Sequence, residues 1–163
     1  MGKQSMKHLI LFALAAIAMS TTAFAQTWAT VTSTNHSNGR VIIFRYISEF
    51  GPSFNRSSQP VRVILAWKYQ SVSGMPDSTE HQRMNVMEDA MEPVLENDGF
   101  STLALVSTGE NLREWTYYAK SEAELLVRLN KALAGRAAFP IEVHTAADPK
   151  WSMYEKFKTG VQK

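Results

Sequence analysis

Two helix starts, Asp77 with Glu80 and Ser121 with Glu124, constrain this chain more than any other feature of its sequence. Each sets a capping side chain three residues ahead of a carboxylate, the reciprocal pattern that satisfies the free N–H groups of a first helical turn. After Asp77, the residues Met84, Met87, Met91, Val94 and Leu95 recur at helical spacing. Pro93 lies inside that pattern and is expected to kink or shorten the helix, with Gly99 at its C-terminal cap. After Ser121, the residues Leu125, Leu126, Leu129 and Leu133 form a second stripe, closed by Gly135.

Strand patterns fill the spaces around these helices. Residues 61–69 alternate, with Val61, Val63, Leu65, Trp67 and Tyr69 on one face. Residues 100–107, 112–118 and 139–144 read as further strands. The order strand, helix, strand, strand, helix, strand predicts an α+β domain, a ferredoxin-like split βαβ sandwich with its core at about residues 61–144. Both helices are expected on one face of the sheet. Residues 28–34 and 40–47, joined by Asn35-His36-Ser37-Asn38-Gly39, add an N-terminal hairpin. Asp148 is expected to cap a C-terminal helix with Pro149 at its first position, docked by Trp151, Tyr154 and Phe157. Leu103 and Leu105 oppose Phe100, Ala104 and Val106, so both sheet faces need cover. The hairpin, the last helix or a second subunit are the candidates.

The first residues follow the plan of a secretory signal peptide. Lys3 and Lys7 precede an eleven-residue apolar run from Leu9 to Met19, and Ala23-Phe24-Ala25 gives a small-x-small cleavage pattern. Cleavage is expected between Ala25 and Gln26, leaving residues 26–163 as one domain exported to the periplasm or the medium. The run is too short to span a bilayer, which takes about 20 apolar residues. Loss of the leader takes Lys+Arg from 17 to 15, equal to the 15 acidic residues. A neutral exported domain has no global field to attract nucleic acid or a membrane surface, so neither is an expected partner. The chain has no cysteine, which excludes a lipidated cysteine, thiol catalysis and cysteine-based zinc sites.

Gly74-Met75-Pro76, then Glu80 and Glu88-Asp89, then Leu112-Arg113-Glu114-Trp115-Thr116-Tyr117-Tyr118, and finally Asp148-Pro149-Lys150-Trp151 with Tyr154 follow one another in a distinctive order. In that order and spacing the chain resembles the domain of unknown function 695 family, over residues 28–157. The resemblance implies no activity. Some relatives are associated with a regulator of ribonuclease E, which makes a regulator of ribonuclease activity the weakest alternative. The leader argues against it, because a cytoplasmic nuclease lies on the other side of the membrane.

Residues able to carry chemistry are sparse. His36, His81 and His144 form no ligand pair, and no metal or cofactor is expected. Met84, Met87 and Met91 read as an adaptable core face rather than a soft-metal site. No nucleophile elbow and no glycine-rich phosphate loop occur. Arg113, Trp115 and Tyr117 share one side of their strand and, with Trp67 and Tyr69 nearby, form the candidate binding residues on an aromatic sheet face. RNA-recognition domains stack bases on such a face, but export and neutrality point away from that use. Burial of the face under the hairpin or a second copy is the leading alternative, and an aromatic-lined pocket follows. Glu80 and Glu88 are the acid/base candidates, while Glu88, Glu92 and Glu96 together read as a solvated helix face. The sequence therefore favours a non-enzymatic exported binding or interaction domain. Its partner is an unknown protein, a small ligand or a second copy of the chain. A small exported enzyme or small-molecule binder with its site at the arginine-bearing sheet face is the alternative.

Overall fold

The computed structural model describes residues 26–161. The leader, and Ala25 on one side of its expected cleavage point, lie outside the described residues; Gln26 is the first of them. The elements run in the order β1 (Thr27–Thr34), β2 (Val41–Glu49), β3 (Val61–Lys68), α1 (Ser78–Leu95), β4 (Ser101–Gly109), β5 (Leu112–Ala119), α2 (Glu122–Leu133), β6 (Ile141–Ala147) and α3 (Ser152–Val161). Among the described residues this is an α+β fold of three helices and one six-stranded sheet, in the order β1-β2-β4-β5-β3-β6. Every neighbouring pair is antiparallel. The connection through α1 passes over β5, and the connection through α2 passes over β3.

The forward half of both predicted capping boxes holds, while the Glu80 and Glu124 carboxylates turn instead to Trp67 and Arg128. Asp77 accepts the N–H of Glu80 at 2.8 Å, and Ser121 accepts that of Glu124 at 3.4 Å. Pro93 sits in the last turn of α1, which ends two residues later, so it shortens the helix more than it bends it. The methionine row behaves as the spacing predicts. Met84, Met87, Met91 and Leu95 are fully buried against Val63, Leu65, Trp67, Trp115 and Tyr117 of the sheet, and Leu125 and Leu129 of α2 complete this main core.

Two expectations need correction. The N-terminal hairpin covers neither face; β1 and β2 extend the sheet sideways beyond β4. The opposite face is covered in part by α3. There Trp151 stacks on Tyr118 with ring centroids 3.8 Å apart, and Tyr154, Phe50 and Phe54 close a second aromatic cluster. Finally, Pro149 is not the first residue of the last helix. The chain first turns through Trp151, whose φ is +55°, and α3 begins at Ser152. Asp148 still serves as the cap from that distance, accepting the N–H groups of Ser152 at 2.7 Å and Met153 at 3.1 Å. It also accepts the Tyr118 hydroxyl at 2.9 Å, so one carboxylate ties the helix start to the centre of the sheet. Burial alone would raise the Asp148 acid, but these bonds to the carboxylate outweigh it and hold it below its ordinary value.

Candidate functional site

The five sequence candidates do meet on one sheet face. Trp67 pairs with Arg113, Leu65 with Trp115 and Val63 with Tyr117 across β3 and β5, and Tyr69 continues the row. They do not form an open aromatic surface. Trp67 and Trp115 are fully buried, and Tyr69, Arg113 and Tyr117 are nearly so, because the apolar rows of α1 and α2 lie over them. The cover is the domain's own helical layer, neither the hairpin nor a second copy. Trp67 donates its indole N–H to Glu80 at 2.5 Å, which occupies one acid/base candidate near the start of α1. Tyr69 donates its hydroxyl to the Gly74 carbonyl at 2.8 Å, and burial raises its acid to about 12. Burial likewise pushes the Tyr117 hydroxyl well above its ordinary value.

Arg113 is different, because its guanidinium reaches the edge of the helical layer. There it donates to Glu88 Oε2 at 2.8 Å, and the Trp115 indole N–H donates to the same oxygen at 2.8 Å. Arg45 of β2 approaches Glu88 from the other side and pairs with Oε1. One carboxylate thus holds two arginines and an indole. Burial alone would raise the Glu88 acid. The Trp115 bond and the charges of Arg45 and Arg113 overcome it, so Glu88 stays below its ordinary value and ionised. Desolvation lowers the Arg113 acid, opposed by the Glu88 charge. The i, i+4 acidic row on α1 is therefore not a solvated face throughout. Glu92 is exposed, but Glu88 and Glu96 turn toward the sheet and are partly buried.

This cluster floors a cleft of about 420 Å³ between α1 and the sheet. Its existence follows from the topology. Register places Arg45 opposite Val106, and Val106 opposite Trp115, so Arg45 points to the helix-covered face. The hairpin carries that face past α1, and the uncovered shelf becomes the cleft. Thr30, Ile43 and Arg45 form the shelf, and His81, Asn85 and Glu88 of α1 form the wall. Arg45 also lies over the ring of Trp28, 5.2 Å from its centroid, and Trp28 is 39 % exposed. Of the five sequence candidates only Arg113 lines this cleft.

Sequence reasoning missed Arg45, Trp28 and Asn85. The signal for Arg45 was a charge inside the otherwise apolar run Val41-Ile42-Ile43-Phe44-Arg45-Tyr46-Ile47. Such a charge demands a partner, but the run does not say where that partner lies. Among the described residues, no group of three His, Asp or Glu side chains is placed to hold a metal ion. No helix among them is long and apolar enough to cross a membrane.

Comparison with known proteins gives one match. No curated protein matches the chain. No solved structure matches it either. The model of a family of unknown function, DUF695, matches residues 26–158. That span contains the whole sheet, both covering helices and every residue of the arginine cleft, and on it the chain belongs to the DUF695 family.

Proposed function

We propose that this chain is an exported, non-enzymatic binding domain that takes a small anionic ligand with an apolar part in the cleft between α1 and the hairpin shelf. The observation that carries the reading is the charge at that site: two arginines share a single carboxylate, Glu88. A bound anion supplies the charge that the cluster lacks. Arg45 is the contact group, since its side chain is 44 % exposed while that of Arg113 is 8 % exposed. Trp28 and Ile43 offer exposed apolar surface beside it.

Catalysis is the weaker reading, and Glu88 is the reason. A general acid or base works best with an acid constant near the working pH, and Glu88 is held below its ordinary value by three donors. Glu80 is engaged by Trp67 and Arg83. An interaction surface for another protein, or a role in regulating a ribonuclease, has no comparable cluster behind it.

The same proposal takes the strand order β4-β5-β3-β6, with its two crossing helices, as a ferredoxin-like split βαβ core to which the hairpin and α3 were added. Export rests on the leader pattern of residues 1–25.

The test is a thermal-shift screen of the purified protein against benzoate, succinate and inorganic phosphate. A ligand that binds only the native state raises Tm by mass action. The expected result is a saturable rise with at least one anion, strongest for benzoate, that disappears in Arg45→Ala. No rise with any of them, or a rise that persists in Arg45→Ala, contradicts the assignment.

A further inference from the structure

A second opening lies at the other end of α1. Strands β2 and β4 pair only over Ile42–Tyr46 and Leu105–Gly109, and beyond Tyr46 they part. The loop that follows β2 turns into the gap but does not fill it. A wedge of about 470 Å³ remains, lined among others by Phe54, Gln59, Glu96, Gly99 and Thr102.

Two acceptors in this wedge have unused capacity. Gln59 is only 2 % exposed; its amide donates to the Gly99 carbonyl at 3.2 Å, and its carbonyl Oε1 has no partner. An unpartnered buried carbonyl loses its hydration without return, so a donor arriving there is favoured. Glu96 accepts the Leu103 N–H with Oε2 at 3.1 Å, which leaves its second oxygen free. The Ser101 hydroxyl turns its proton away, to the Leu95 carbonyl at 2.8 Å.

We propose that this wedge is a binding site for a ligand bearing a primary ammonium group, held between Gln59 Oε1 and the Glu96 carboxylate. An ammonium has three N–H donors and no acceptor, which suits one free carboxylate oxygen and one amide carbonyl in a sheltered site. A divalent metal suits it poorly, since a single carboxylate supplies too few oxygen ligands. The site is distinct from the arginine cleft, and its failure would leave that reading intact.

Binding also depends on the charge of Glu96. Burial pushes its acid up to about 7, aided by Glu92 and Glu88 on its own helix and opposed by the Leu103 N–H and by Arg45 of β2. Tyr117 of β5 is the other titratable group that senses it, and that hydroxyl stays neutral. The ammonium therefore binds well above neutral pH and loses affinity as Glu96 takes up its proton below it.

The test is a proton–nitrogen NMR titration of the purified protein with methylammonium at pH 8, with methanol as the uncharged control of equal size. Saturable shifts are expected at the Leu103 amide and the Gln59 side-chain amide for methylammonium only. Glu96→Gln keeps an acceptor for Leu103 and preserves the fold, and it should weaken the binding about tenfold, as removal of a charge-assisted bond does. Gln59→Met is the second variant and should weaken it too. Shifts no larger than those from methanol, or equal affinity in both variants, overturn the proposal.

Discussion

Glu88 within α1 and Glu96 at its C-terminal cap stand eight residues apart, and their acids shift in opposite directions. Glu88 receives three N–H donors, two of them from arginines, and stays below its ordinary value. Its contribution to stability is present above the ordinary carboxylate range and is lost as pH falls through the lowered folded value. Glu96 is partly buried with a single backbone donor, and its acid rises from 4.5 to about 7. Between those two values the folded chain keeps a proton that the unfolded chain has released, so stability falls as pH rises through that window. Glu96→Gln removes this loss. The variant should be more stable than the parent at pH 8 by about 1–3 kcal/mol, and equal to it near pH 4, where both states are protonated. Urea unfolding at the two pH values measures the difference, and a variant less stable at pH 8 would contradict the burial argument.

Among the elements, the hairpin of β4 and β5 fixes how far the sheet extends toward β2. Its turn runs through Glu110 and Asn111, both with positive φ, at +52° and +64°. Glu110 then accepts the side-chain amides of Asn35 at 2.7 Å and Asn38 at 2.9 Å, binding one hairpin turn to the other. Gly109 lies in the contact between β4 and β2. A Cβ there would stand 2.4 Å from the Val41 carbonyl oxygen and 2.8 Å from the Ile42 Cα, at a φ of +151°. Both obstacles are backbone, so the strands must separate. Gly109→Ala should cost about 2–4 kcal/mol, in the range of overpacked or strained sites. Thermal unfolding checks it, and a variant with an unchanged Tm would mean that the β2–β4 contact yields easily.

The same elements explain what the sequence made legible. The starts of α1 and α2 were readable because a cap and its carboxylate lie within one turn, and the alternation in β3 was readable because the strand faces one core. The start of α3 was not. Its capping carboxylate lies four residues upstream, and Trp151 adopts a left-handed backbone that stacking on Tyr118 and an indole bond to the main-chain carbonyl of Gln59 at 3.0 Å accompany. Those are tertiary contacts, invisible to local spacing. Arg45 was hidden for the same reason, since its face depends on pairing with a strand some sixty residues away. Of the candidate site, the sequence supplied Arg113 and Glu88, the half carried by the βαββαβ region.

Over the whole molecule, one mismatch generates the candidate site. Two helices cover the face of a sheet that the hairpin has made two strands wider. The uncovered margin is where the charged side chains gather, and α3 answers a different need by covering part of the opposite face. Both openings described above lie along the seam between β2 and the rest of the sheet. The arginine cleft lies where β2 remains paired with β4, and the wedge where it departs.

Binding of a small anion in the arginine cleft through Arg45 is the property on which the proposed function depends. An NMR titration with benzoate, following the Trp28 indole, the Arg45 side-chain N–H and the His81 ring, tests it most directly. Saturable shifts are expected at these three groups, with little change at the aromatic cluster beneath α3 and loss of the response in Arg45→Ala. Shifts scattered over the surface, or an equal response in Arg45→Ala, would contradict it.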